Sequence, residues 1–171
     1  MEDFLPKDYK SPEGAYYKLK DGANTFRILS KAVTGYEYWN TENKPIRSKT
    51  PFTLPLVNPK LDNQGKVQAP KHFWAFVILA EGASTPQIMQ LTQKSIQSSI
   101  KALVDNPKWG NPTGYDITID RSGSNLTTEY SVMPNPHSEC PTMDISGINL
   151  DALFEGGDPV ADVEKETKSK K

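Results

Sequence analysis

The stretch KHFWAFVIL at residues 71–79 is the most strand-prone run in the chain and carries three aromatic side chains within four positions. Alternate side chains of a strand point to opposite faces. Two sets of four follow, with Phe73, Ala75, Val77 and Leu79 on one face and His72, Trp74, Phe76 and Ile78 on the other. Both faces are apolar, although a half-exposed antiparallel strand should alternate apolar and polar residues. The stretch therefore predicts a strand buried on both sides, or one that keeps an aromatic face for a flat ligand.

Charge and aromatic residues are unevenly distributed along the 171 residues, a length that fits one domain with appended segments. Residues 1–134 hold 16 Lys and Arg against 13 Asp and Glu, whereas residues 135–171 hold 4 against 8. Every aromatic residue except Phe154 lies in the first part. This distribution predicts a mildly basic, aromatic body followed by an acidic, flexible tail over 135–171.

Cys140 is the only cysteine, which excludes an intrachain disulfide and a thiolate cluster for zinc. No apolar run approaches the roughly 18 residues of a membrane span, and the first residues lack the basic and apolar regions of a signal peptide. We expect a soluble, intracellular protein without a membrane partner.

Periodicity and turn residues predict a mainly β chain with one helix. The elements are an irregular lead-in over 1–23, a strand over 24–39 bent at Gly35, a loop over 40–70, strands over 71–79 and 87–91, a helix over 93–104 with Thr92 as its N-cap, and strands over 115–121 and 126–133 joined by a turn at 122–125. Five prolines lie in the loop, and residues 44–71 hold six bases and one acid, Asp62. A loop of this length in a compact domain is usually functional or disordered.

Five strands with a helix between the third and the fourth is the arrangement of an OB-fold, a Greek-key barrel that we expect over 24–134. Such barrels bind oligonucleotides or oligosaccharides on their second and third strands and on the loops between the first and second and the fourth and fifth strands. Here the second strand is the aromatic one and the first long loop is the basic one. We expect Phe73, Ala75, Val77 and Leu79 inside the barrel, and Trp74 and Phe76 towards the groove with Lys71 at its rim.

Single-stranded nucleic acid is bound by aromatic faces that stack on bases and by cations that meet phosphates. The candidate stacking residues are Trp74, Phe76, Tyr36, Tyr38 and Trp39. The candidate phosphate-binding residues are Arg27, Lys31, Lys44, Arg47, Lys49, Lys60, Lys66, Lys71 and Arg121. Trp109 follows the helix and is interpreted as a core anchor. We expect sequence-independent binding of single-stranded DNA without enzymatic activity.

Three alternatives remain at this point. An RNA-binding OB-fold protein would carry the same residues, and a protein-interaction domain could use the acidic tail to mimic nucleic acid. A nuclease would need Asp116, Asp120 and Glu129 to hold Mg²⁺. His72 and His137 have no carboxylate or cysteine at ligand spacing, so no metal and no cofactor are expected.

The chain resembles the phage-type single-stranded DNA-binding proteins of tailed bacteriophages. The matching pieces lie between residues 26 and 134 and are FRIL (26–29), GYEYW (35–39), KPIRS (44–48), KHFWAF (71–76), LTQKSIQ (91–97), WG (109–110) and YDI (115–117). The resemblance implies an OB-fold that coats single strands during phage DNA replication, recombination and repair, often cooperatively through self-association. It also implies an acidic tail that shields the groove and recruits replication and recombination proteins.

The chain departs from that family in two respects. Some relatives carry a zinc site whose residues are missing here, and related tails often end near an aromatic residue, whereas this chain ends in lysines. We therefore expect recruitment through the apolar-acidic motif INLDALFE at 148–155 and the acids beyond it. The candidate residues of this tail are Leu153, Phe154, Asp158, Asp162 and Glu164.

Overall fold

A computed structural model describes residues 4–6, 14–156 and 159–160. Seven strands form one sheet with antiparallel ladders, and they are β1 (Gly22–Ile28), β2 (Val33–Trp39), β3 (Pro45–Ser48), β4 (Lys71–Ala80), β5 (Gln87–Leu91), β6 (Tyr115–Ser122) and β7 (Glu129–His137). Helix α1 (Lys94–Asp105) lies between β5 and β6, and 3-10 helices cover Pro112–Gly114, Asn125–Thr127 and Leu150–Glu155. The predicted mainly β class is confirmed.

Strand β4, which contains the stretch 71–79, is the centre of the sheet. It pairs with β1 and β2 along one edge and with β5 along the other, with Ile28 opposite Ile78 and Trp74 opposite Leu91. The remaining order is β1, β6 and β7, while β3 is the edge strand beside β2. In the part of the chain that the structure describes, no ladder joins β5 to β7, so the sheet is open.

Both faces of β4 are covered over most of its length, which explains why both are apolar. Phe76 and Ile78 face α1 and belong to the main core with Ile96 and Ile100 of that helix. Phe76 is only 2% exposed because α1 packs on its side of the strand, so its ring offers no free face for stacking. Both sets of side chains are apolar, so alternation alone could not indicate which side the helix would cover.

The opposite face of β4 carries a second core. Phe73, Ala75 and Val77 are buried there beneath Leu150 and Leu153 of the last 3-10 helix. Phe73, Ala75 and Val77, which the sequence assigns to a barrel interior, instead pack beneath the C-terminal segment on the face of β4 opposite α1. The prediction of a flexible tail is wrong for the residues around this helix, because they pack on the sheet.

The predicted first strand is two strands, broken over residues 29–32 rather than bent at Gly35. The amide of Leu29 donates to the carbonyl of Val77 at 2.8 Å, and Ser30 Oγ accepts from the amide of Val77 at 2.9 Å. These bonds fix the break against β4. Gly35 lies inside β2, in regular register opposite Phe73.

Helix α1 begins one residue later than predicted, with Gln93 rather than Thr92 at the N-cap. Its buried Gln97 donates through Nε2 to the carbonyls of Leu91 at 2.9 Å and His72 at 3.1 Å. These two bonds tie the helix to the ends of β5 and β4. The closing hairpin is present, but its second strand begins at Glu129, because Asn125–Thr127 forms a 3-10 turn in which Leu126 is fully exposed.

The N-terminal lead-in contributes to the fold. Tyr16 forms a parallel bridge to Ile88, with Tyr17 N donating to Ile88 O and Ile88 N donating to Ala15 O, both at 2.8 Å. Tyr17 and Leu19 also pack against the main core. This segment therefore extends the sheet beyond β5, a contact that the polar sequence of the lead-in did not predict.

Candidate nucleic-acid interface

A row of aromatic side chains lies on one face of β2 and β4. The register places Thr34 opposite Trp74 and Tyr36 opposite His72, so these four side chains share a face. The rings of Tyr36 and His72 lie 5.1 Å apart, measured between centroids. Tyr36 and Trp74 are half-buried and His72 is exposed, so the rings are accessible to a ligand. We call Tyr36, His72 and Trp74 the aromatic face.

Tyr38 extends this row by one more pleat but is mostly enclosed. Its ring meets Phe52 edge-on at 4.8 Å, and its hydroxyl donates to the carbonyl of Val57 at 3.0 Å. The loop over 40–70 thus folds back onto β2 through Phe52 and Val57. Tyr38 is 8% exposed, so it supports the aromatic face rather than offering a free ring.

A groove of about 560 Å³ adjoins the aromatic face, between it and α1. Trp74 and Thr34 line this groove and therefore belong to both surfaces. The groove is otherwise lined by Ile28, Ser30, Lys31, Ala32, Phe76, Ile100, Lys101, Val104, Asn111, Pro112 and Thr113. The groove combines an apolar lining with two lysines. Phe76 is 2% exposed, so it forms part of the floor of the groove and does not offer a surface for stacking.

The structure separates the predicted phosphate-binding cations into paired and unpaired ones. Arg27 is 3% exposed, and its Nε donates to Asp116 at 2.7 Å. Its Nη1 donates to the carbonyls of Thr113 at 3.1 Å and Ser138 at 3.2 Å. This guanidinium joins β1 to β6 and to the residues after β7, and its predicted contact with phosphate stays a prediction.

Arg47 is also held inside the protein. Its Nε donates to Glu37 Oε2 at 2.8 Å, with the two side chains only 12% and 9% exposed. The same oxygen accepts from Gln90 Nε2 at 2.8 Å, and the guanidinium lies 5.9 Å from the ring centroid of Phe73. Glu37 neutralises its charge in this structure, and the predicted phosphate contact at Arg47 stays a prediction.

Three more of these cations are paired nearer the surface. Lys44 lies 3.7 Å from Glu42, Lys49 lies 3.5 Å from Asp151, and Arg121 Nε lies 3.7 Å from Asp21. Exposed pairs of this kind contribute little stability and separate readily. The four remaining candidates have no carboxylate within 4.0 Å among the described residues, and they are Lys31, Lys60, Lys66 and Lys71.

Trp39 lies on the other face of β2, because it is three residues from Tyr36. It is 45% exposed and lines a small cleft of about 170 Å³ together with Lys60 and Lys71. The amide of Lys60 donates to the carbonyl of Trp39 at 2.8 Å, which fixes the loop beside the strand. The predicted stacking set is therefore divided between two faces of β2.

Sequence reasoning left His72 out of the site, although it alternates with Trp74 on one strand, and it also left out Lys101, which lines the groove from α1. Trp109 packs against the main core and stacks on His137 with centroids 5.5 Å apart, so the core-anchor prediction is confirmed. Leu153 is buried, and Phe154 is half-buried. Asp158, Asp162 and Glu164 lie outside the described residues.

Among residues 4–6, 14–156 and 159–160, no three His, Cys, Asp or Glu side chains are grouped as a metal site requires. Asp116, one of the three candidate carboxylates for Mg²⁺, is bonded to Arg27. No helix in the described part of the chain is long and apolar enough to cross a membrane. No protein-family model, curated protein or solved structure matches this chain.

Proposed function

We propose that this protein binds single-stranded DNA without sequence preference, with the bases on the aromatic face. The observation that carries the proposal is the alignment of Tyr36, His72 and Trp74 on one accessible face of paired strands, beside Lys31, which makes no ion pair with a described residue. Each base stacked on an aromatic ring contributes about 1–3 kcal/mol, nearly independently of its identity. Lys31 and the loop lysines would meet the phosphates.

The proposed fold is an OB barrel that is open between its third and fifth strands. In this assignment β1 and β2 together form the first strand, β4 the second, β5 the third, β6 the fourth and β7 the fifth. The helix then falls between the third and fourth strands, and the basic loop over 40–70 lies between the first and second. OB barrels bind oligonucleotides on their second and third strands and on the loop between the first and second, so β4 and the basic loop support the same ligand.

The biological role that we propose is to coat single strands during phage DNA replication, recombination and repair, without enzymatic turnover. A coating protein needs contacts to backbone and base faces rather than to base edges. The groove beside Trp74 offers contacts of this type, because its lining is largely apolar and includes Lys31, which has no ion-pair partner in the part of the chain that the structure describes. Binding should therefore weaken steeply with salt, because each neutralised phosphate releases counterions.

The test is the affinity of Tyr36→Ala for a fluorescein-labelled oligothymidine, measured by anisotropy at low salt. Loss of one stacked base should weaken binding by roughly 5- to 150-fold. Tyr130→Ala is the matched control, because Tyr130 is also a half-buried strand tyrosine but lies on β7, at the far end of the strand order from β2. This control should bind like the wild type.

Equal binding by both variants, or no binding of the oligonucleotide by the wild type, would overturn the proposal. An excess of matched oligouridine that displaces the DNA as well as oligothymidine does would assign the same face to RNA instead. Incubation of the labelled strand with Mg²⁺ should leave it intact, and cleavage that disappears in Asp116→Asn would favour a nuclease.

A further inference from the structure

The C-terminal segment, residues 145–156, packs on the sheet directly behind the aromatic face. Leu153 is 2% exposed and Leu150 is 9% exposed, and both cover Phe73, Ala75 and Val77. Ile145 and Ile148 pack against the same cluster. The motif that the sequence marks as a free recruiting tail therefore has its apolar residues inside the protein.

Phe154 contacts both strands of the aromatic face. Its ring lies 5.7 Å from the ring of Phe73 on β4. It also lies against Gly35 on β2, where a Cβ added to the glycine would be 2.6 Å from Phe154 Cε1. Gly35 precedes Tyr36, and Phe73 lies between His72 and Trp74. The backbone that carries the aromatic face thus rests on the ring of Phe154.

Lys49, which follows β3, joins the third strand to this contact. Its Nζ lies 5.3 Å from the centroid of the Phe154 ring and 3.5 Å from Asp151 Oδ1. Phe154 and Asp151 together therefore touch β2, β4 and the end of β3. Among the described strands, β3 pairs with β2 alone, so contact with this segment further restrains the position of β3.

The segment has local restraints of its own. Asn149 Oδ1 accepts from the amide of Asp151 at 3.2 Å at the start of the 3-10 helix, and Gly156 ends it in the left-handed region with φ 73°. Upstream, Arg27 donates to the carbonyl of Ser138 and so fixes the chain as it leaves β7. These contacts are those of an integral part of the fold.

We propose that the C-terminal segment is a brace for the nucleic-acid interface, with Leu153 and Phe154 as positioning residues. The brace holds β2, β3 and β4 in the arrangement that presents Tyr36, His72 and Trp74. The proposal rests on the proposed function for its effect on DNA, but not for its effect on the strands. It differs from a shielding tail in sign, because loosening the brace weakens DNA binding whereas removing a shield strengthens it.

The experiment uses full-length Phe154→Ala and Leu153→Ala, with Glu155→Ala as the control, because Glu155 is exposed on the same 3-10 helix. The first readout is amide hydrogen exchange. Truncating Phe154 should raise exchange in β2 and β3 by roughly tenfold or more while α1 and β6 keep wild-type rates. Glu155→Ala should leave all of these rates unchanged.

The second readout is oligothymidine affinity at a temperature where circular dichroism shows each variant folded. Phe154→Ala should bind roughly tenfold more weakly, because the rings it supports lose their fixed orientation. Phe154→Leu, which keeps apolar contact, should recover part of both effects. Tighter binding by Phe154→Ala would overturn the brace in favour of a shield, and unchanged exchange in β2 and β3 would overturn it whether or not DNA binds. If wild type binds no DNA but exchange in β2 and β3 rises, the proposed function fails and the brace stands.

Discussion

Replacing Arg27 by alanine should lower stability, whereas replacing Lys31 by alanine should change DNA binding, although the sequence predicts a phosphate-binding role for both residues. Arg27→Ala removes the donors to the carbonyls of Thr113 and Ser138 and the partner of Asp116. The side chain of Asp116 is 39% exposed, so water can partly solvate its carboxylate after the partner is removed. The Arg27 side chain is 4% exposed, so the space it leaves is enclosed by protein. Lys31 is exposed and makes no ion pair with a described residue.

The size of the two effects follows from these environments. Breaking a buried pair costs about 3–5 kcal/mol, and we take the lower end because Asp116 is partly solvated. In a chain of this length, about 3 kcal/mol lowers Tm by roughly 6–12 °C. Lys31→Ala should change the free energy of unfolding by no more than about 0.5 kcal/mol. It should instead reduce the slope of log K against log salt by about 0.7, the value for one phosphate on a single strand.

The assay is a thermal unfolding curve together with oligothymidine affinity over a series of salt concentrations, for both variants and for Lys18→Ala as an exposed lysine on the N-terminal segment. Lys18→Ala should resemble the wild type in both measurements. If Arg27→Ala keeps the wild-type Tm and reduces the slope of log K against log salt, then Arg27 meets phosphate and its structural role as described is wrong. Lys31→Ala with an unchanged slope would place the backbone of the DNA elsewhere.

Two further predictions concern the cores. Burial raises the pKa of Tyr115 above its ordinary 10.0. The stability that this group contributes is fully present below pH 10 and is lost as the pH rises through the folded-state pKa, because the unfolded chain ionises the phenol first. Unfolding curves across this pH range should show a smaller loss of stability for Tyr115→Phe than for the wild type, and equal losses would contradict this prediction. Gly35→Ala should lower the free energy of unfolding by about 1–3 kcal/mol, because the added Cβ would lie 2.6 Å from both Phe154 Cε1 and the carbonyl oxygen of Ser48. Denaturant titration measures this free energy, and a variant as stable as the wild type would show that Phe154 does not approach Gly35 as described.

Helix α1 and strands β4 to β7 could be predicted because their signals are local, whereas β3 lies inside the predicted loop over 40–70 and the predicted first strand is two strands. Residues 71–79 combine aromatic and β-branched side chains, and Ile96 and Ile100 recur at helical spacing. What local signals could not supply is the side of the sheet that the helix covers. Both faces of β4 are apolar because each is covered by a different part of the chain, so Phe76 and Phe73 could not be assigned from alternation.

Contacts between distant residues account for the other differences. Arg27 meets Asp116 across 89 positions of sequence, and nothing near either residue signals the pair. Gly35 reads as a bend, whereas in the structure it makes room for Phe154, 119 positions later. The segment around Leu153 is acidic and proline-flanked, which is typical of a free tail, yet a few apolar residues suffice to pack it on the sheet.

Photocrosslinking can show whether single-stranded DNA lies on the aromatic face. An oligothymidine containing 5-iodouracil would be bound to the full-length protein, irradiated, and the modified residues identified by mass spectrometry. We predict crosslinks at Tyr36, His72 or Trp74. The DNA does not lie on the aromatic face if the crosslinks are confined to Trp39, Tyr16 or Tyr17. The same conclusion follows if the protein forms no complex with the strand at low salt.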